Sequence, residues 1–93
     1  MNKFEITRSN LNKLIKSVES YFTHEEIVDI VEYFENEEFG LAFDNVCWLL
    51  MEKDVSIPLS VVELVSDLYE SMNGNTIEEW KDLAYWIANK RDR

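Results

Sequence analysis

The sequence is short of the residues that break helices. It contains one proline and two glycines among 93 residues. A β-sandwich of this length needs many turns, and turns use both residues heavily. Their scarcity argues against a many-turned β-sandwich and favours an all-α fold. Hydrophobic residues make up 46% of the chain and aromatic residues 13%, which argues against disorder and indicates one domain, residues 1–93.

Thiols and imidazoles are nearly absent, since Cys47 and His24 are the single members of their types. One cysteine cannot form an internal disulfide. Cys47 lies in the most apolar run, which predicts a small buried side chain and not a reactive thiol. The two residues fall on different predicted helices, and the ligand spacings of zinc and calcium sites are missing. We therefore predict a protein that is not an enzyme and that uses no metal, cofactor or small-molecule substrate.

Long apolar runs are absent as well. None approaches the roughly 18 residues that indicate a membrane-spanning helix. No charged-then-apolar leader precedes the first predicted helix. We expect a soluble cytoplasmic protein without a membrane partner.

Basic residues are missing from the middle of a chain whose net charge is −10. No Lys or Arg occurs from Ser17 to Glu52, and residues 17–80 contain sixteen acidic residues and one basic residue, Lys53. Both ends of the chain have a basic excess. Such a middle region repels nucleic acid and anionic membranes and attracts basic proteins. A solvated face is the commonest meaning of a charge run, but the length of this one favours a basic protein partner.

Apolar residues recur with the helical period in five segments. We predict helices at about 9–20, with an earlier start near Lys3 left open, from the capping box at Thr23 to Asn36, and at 37–53, 58–72 and 77–90. The last of them follows a second capping box at Thr76. The predicted fold class is a small all-α, single-domain bundle of about five helices.

The third predicted helix, 37–53, is the most apolar and is expected at the centre of the bundle. Its inner face repeats at helical spacing and consists of Phe39, Ala42, Phe43, Val46, Leu49 and Leu50. Glu37 and Glu38 are expected in its first turn, where negative charge complements the helix dipole. Trp48 points partly outward, as do Tyr85 and Trp86 on the fifth helix, so core packing and an interface anchor both remain open for them.

The second predicted helix has an apolar stripe, formed by Ile27, Ile30, Val31 and Phe34. Glu25, Asp29 and Glu32 recur on its outer face at i, i+4 and i+7. Like charges at this spacing cost a few tenths of a kcal/mol per pair, and a purely structural helix more often has lysine there. We interpret this face and its neighbourhood as a partner-binding surface, made of Glu25, Asp29, Glu32, Tyr33, Glu35, Glu37 and Asp44.

Three segments resemble the MafI-type immunity proteins, small bacterial proteins encoded beside polymorphic or contact-dependent inhibition toxins. The segments are Glu38-Phe39-Gly40-Leu41-Ala42, then Val46-Cys47, then Glu52-Lys53-Asp54-Val55-Ser56-Ile57. The resemblance covers roughly 31–72 and, more faintly, Trp80-Lys81-Asp82-Leu83 near the end. Phe43-Asp44 and Val46 depart from the family pattern, which changes core packing. The resemblance implies an all-helical fold, no catalysis, and a binding function against a cognate toxin in the cytoplasm.

Many toxins of such systems are nucleases, whose substrate grooves must be basic. We therefore expect an immunity protein that binds and neutralises a cognate secreted toxin, most readily a basic RNase domain, in a 1:1 complex. The predicted surface residues would meet Arg and Lys side chains of the toxin and exclude RNA or DNA. No direct binding of nucleic acid by this chain is expected. The alternative is an acidic nucleic-acid mimic or regulatory protein that binds a basic nucleic-acid-binding partner.

Overall fold

The computed structural model describes residues 2–72, which form four α-helices and one short 3-10 helix. No residue of this range lies in a β-strand, so the all-α prediction is confirmed. The helices are α1 (Lys3–Val18), α2 (His24–Glu35), α3 (Phe39–Lys53) and α4 (Leu59–Ser71), and the 3-10 helix (Glu19–Tyr21) joins α1 to α2. The predicted fifth helix at 77–90 lies outside the described residues, together with Thr76, Tyr85 and Trp86.

Helix α1 begins at Lys3 and not near Ser9. Asn2 caps it, because its side-chain oxygen accepts a hydrogen bond of 2.8 Å from the amide of Glu5. Its inner face is formed by Leu11, Leu14, Ile15 and Val18, which are all buried. Periodicity does not mark the first turn, because its apolar residues, Phe4 and Ile6, are nearly half exposed and lie outside the buried stripe.

Helix α2 begins with the predicted capping box. The amide of Glu26 donates to Thr23 Oγ1 at 3.2 Å, and the amide of Thr23 donates to Glu26 Oε1 at 2.9 Å. The helix ends in a Schellman turn, in which the amides of Glu37 and Glu38 donate to the carbonyls of Phe34 and Tyr33. The predicted place of Glu37 and Glu38 in the first turn of the next helix is therefore wrong, because α3 begins at Phe39 and Glu38 is its N-cap.

The Schellman turn places Glu37 at a φ of 62°, in the left-handed region. A residue with a Cβ pays about 1–2 kcal/mol there, which is why glycine is usual at this position. We expect Glu37→Gly to raise the free energy of unfolding by about 1 kcal/mol. Urea denaturation measures the change. Glu38→Gly is the matched control, since Glu38 has a φ of −90°. An equal gain in both variants would contradict the strain at Glu37.

Helix α3 packs against α2 and, less extensively, against α1, whereas α1 packs against both α3 and α4, so the two helices share the middle of the described bundle. All six residues of its predicted inner face are buried, and so is Cys47. Trp48 and Leu41 lie on the outer side, each about half exposed. Burial raises the pKa of the Cys47 thiol, and the negative charge of Asp44 raises it further. The thiolate is disfavoured, as expected for a residue that acts as a small apolar side chain.

Helix α4 covers α1 on the other side. It follows an extended link through Pro58, whose ψ of 159° precedes the first helical turn. Val61, Val65 and Leu68 of α4 are buried, and so is Met72 just after its last residue. The described bundle therefore leaves α2 packed chiefly on α3 along one side, with a large part of its circumference open to solvent.

Candidate partner-binding surface

The outer face of α2 presents four exposed carboxylates, Glu25, Asp29, Glu32 and Glu35. Glu25, Asp29 and Glu32 share one face, since residues four and three apart are neighbours on a helix. Glu35 ends the helix on an adjacent line. We call these four side chains the α2 acidic face. A helix turned with its apolar stripe toward the core must present this side to solvent.

The other predicted site residues are more scattered. Glu37 is exposed in the Schellman turn and lines a different surface depression, which lies beside Phe4 and Gly40. Tyr33 is half-buried and packs against the core. Asp44 is half-buried on α3. Five of the seven predicted residues therefore lie on α2, four of them exposed and Tyr33 half-buried, whereas Glu37 follows the end of α2 and Asp44 lies on α3.

Lys53 forms its salt bridge with a carboxylate that does not belong to the α2 acidic face. Its Nζ lies 2.9 Å from Oε1 of Glu26, at the inner edge of α2, and forms a salt bridge between the start of α2 and the end of α3. No other basic residue occurs between 17 and 80. The Thr23 amide, which donates to the Glu26 carboxylate, and the Lys53 ammonium hold the pKa of Glu26 below its ordinary value of 4.5.

A lowered pKa makes the contribution of Glu26 depend on pH. The carboxylate stabilises the fold above its unfolded pKa, and this stabilisation is lost as the pH falls through the lower folded pKa. We therefore expect the difference in unfolding free energy between the wild type and Glu26→Gln to shrink as the pH is lowered from neutral through 4.5 and below. Urea denaturation over a pH series measures it.

The control for this prediction is the same comparison in a Lys53→Met background. Removing the ammonium raises the folded pKa of Glu26 toward its ordinary value, so the pH-dependent difference should be smaller. A difference that is independent of pH in both backgrounds would contradict the role of the charge.

The side of α2 that faces α1 is structural. The Arg8 guanidinium lies 5.2 Å from the centre of the Phe34 ring, a cation–π geometry. Phe34 in turn contacts the ring of Phe39, with 5.5 Å between centroids. Arg8 also lies near the last turn of α2, where positive charge is favourable. These contacts fix the C-terminal end of α2 against α1 and the start of α3.

Sequence reasoning missed an exposed apolar group on α2. Ile30 and Phe34 are buried as predicted, but Ile27 is only half-buried and Val31 is exposed, so the inner assignment of Val31 is wrong. Val28 is exposed too. The sequence does contain a sign of this exposure, because apolar residues occur in the pairs 27/28 and 30/31. Consecutive residues are turned by about 100° on a helix, so these four side chains cannot all face one narrow core.

In the range 2–72, no group of three or more His, Cys, Asp or Glu side chains is arranged to hold a metal ion. His24 is exposed at the start of α2, whereas Cys47 is buried in α3. Among the helices of this range, none combines the length and the hydropathy needed to cross a bilayer.

Comparison of the chain with protein-family models, with curated protein sequences and with solved structures gave no match. The motif resemblance to MafI-type immunity proteins therefore stays a prediction.

Proposed function

We propose that this protein is an immunity protein that neutralises a cognate toxin by binding a basic domain of it, most readily a nuclease domain, in a 1:1 complex. One observation supports the proposal above the others. The four carboxylates of the α2 acidic face are exposed, and the single basic residue of the middle region, Lys53, forms a salt bridge with Glu26 on the same helix.

The physical argument begins with the toxin's substrate. A nuclease groove must attract phosphates and is therefore lined with Arg and Lys. A rigid helix with carboxylates on adjacent turns presents charges of the opposite sign on an ordered scaffold. Complementary charge of this kind accelerates encounter up to about 10⁸ M⁻¹s⁻¹ or more at low salt. The same charge repels RNA and DNA, so the bound protein would keep the substrate out of the groove.

The residues have distinct roles in this proposal. Glu25, Asp29, Glu32 and Glu35 meet basic side chains of the toxin, and Glu37 extends the negative surface past the end of α2. Tyr33 and Asp44, which are both half-buried, contribute contacts with less exposed surface. The protein acts by occupying the toxin in the cytoplasm and performs no chemistry itself. The motif resemblance at 38–57 supports the same function independently of the charge.

The experiment uses the toxin domain encoded by the adjacent gene, made catalytically inactive, and measures association by stopped flow over a series of ionic strengths. We expect the association rate to fall at least about tenfold between low and physiological salt, while dissociation changes much less. A rate that is independent of salt, or no complex at all, would overturn the proposal. If the adjacent gene belongs instead to a phage early operon and its operon-mates include no toxin, the nucleic-acid mimic becomes the better explanation.

A further inference from the structure

Helix α2 presents a second feature beside its carboxylates. Val28 and Val31 expose 49% and 38% of their surface, and Ile27 lies half-buried between them and the core. These three residues, the α2 apolar strip, line one shallow depression together with Glu32, Glu35 and Asn36. Aliphatic surface and carboxylates therefore meet on the same few turns of helix.

The spacing joins the two kinds of side chain in pairs. Glu32 follows Val28 by four residues and Glu35 follows Val31 by four, so each valine has a carboxylate one turn away on the same line of the helix. Single exposed apolar residues are common on protein surfaces and need no explanation. Adjacent valines with an acidic border instead form a patch that can exclude water when an apolar group covers it.

Charge decides what can cover the strip. A second copy of this chain would bring its own α2 acidic face against Glu32 and Glu35, and like charges brought together in an interface oppose association. Phosphate-rich ligands, such as nucleic acids and anionic membranes, are repelled for the same reason. A protein surface on which Lys or Arg surrounds an apolar side chain fits both the strip and its border.

We infer that the α2 apolar strip is the anchoring site for such a basic, apolar-centred surface of the partner protein. An apolar partner side chain packs between Val28 and Val31, and its basic neighbours pair with Glu32 and Glu35. This inference rests on the proposed function and deepens it. The carboxylates set the rate of encounter, whereas the strip sets how long the complex lasts, because burial of apolar contacts acts mainly on dissociation.

The test uses the full chain and two defined probes. Both are short helical peptides with the same number and placement of lysines; in one the other face consists of leucines, and in its control these are serines. Binding to the wild type is measured by fluorescence anisotropy at physiological salt. We expect the leucine peptide to bind at least about tenfold more tightly than the serine peptide.

Variants of the α2 apolar strip test whether these residues cause the tighter binding of the leucine peptide. In Val28→Ser/Val31→Ser the two peptides should bind nearly equally, whereas Leu59→Ser, which alters a side chain of similar exposure (51%) on α4, should keep the wild-type preference. Val28→Leu enlarges the strip and should increase the preference. It also tests the inference if the double serine variant proves poorly folded by circular dichroism.

Two results would overturn the inference: equal affinity of both peptides for the wild type, or an unchanged preference in both strip variants. Neither result depends on the toxin. Failure of the docking site is therefore seen with the peptides, while failure of the proposed function is seen as absent toxin binding.

Discussion

Replacing Phe43 by alanine is expected to lower the free energy of unfolding by about 3–5 kcal/mol. Phe43 is 1% exposed and has the largest volume of the fully buried side chains among the described residues. It lies on α3, the helix that both α1 and α2 pack against. Its removal deletes apolar burial and leaves a cavity in the buried cluster. Domains of this size are stable by only about 5–15 kcal/mol, so much of the stability is lost.

Urea denaturation followed by tryptophan fluorescence and circular dichroism gives the measurement. Leu41→Ala on the same helix is the matched control, because Leu41 is 49% exposed and its truncation should cost well under 1 kcal/mol. Similar losses of stability in the two variants would contradict the buried position of Phe43.

Neutralising Glu25, Asp29 and Glu32 to Gln, Asn and Gln should slow association with the toxin by about one to three orders of magnitude at low salt. The dependence of the rate on salt should become shallower at the same time. The reason is that these three side chains lie together on the exposed face of α2, where their fields add. Their removal should leave the fold stable, since it also removes like-charge pairs at i, i+4.

The chain provides an unusually close control for this prediction. Glu63, Asp67 and Glu70 on α4 have the same residue types, the same spacing and the same exposed state. Helix α4 packs against α1 and not chiefly against α2. Neutralising this second triplet changes the net charge equally, so it should slow association far less. Equal slowing by both triplets would mean that total charge, and not the α2 acidic face, governs the encounter.

The two triplets also show what the sequence could and could not predict about the site. Periodicity predicted the acidic outer face of α2 correctly, although it assigned Val31 to the inner face. It does not show which helix contacts a partner, because the acidic triplets 25/29/32 and 63/67/70 have the same residue types and the same spacing. The exposed valines beside one triplet separate the two, and their exposure depends on how α2 lies against its neighbours.

The same limit applies to the fold. The capping box at Thr23 and the inner face of α3 are local patterns, so both were predicted from sequence and are confirmed. Val31 has the right spacing for the core of α2 yet is exposed, since no described helix covers that side of it. The sequence does not indicate the Schellman turn at Glu37, because the left-handed residue of such a turn is usually glycine and here it is a glutamate.

The burial of Cys47 has a practical consequence. The chain has one sulfhydryl, so a thiol reagent can modify only that position, and only when α3 opens far enough to release it. The modification rate of the unaltered protein thus reports the free energy of that opening. A ligand that binds only the closed state adds RT ln(1 + [L]/Kd) to this energy. Slower modification in the presence of a candidate toxin would then reveal binding without a dye, a tag or a substitution.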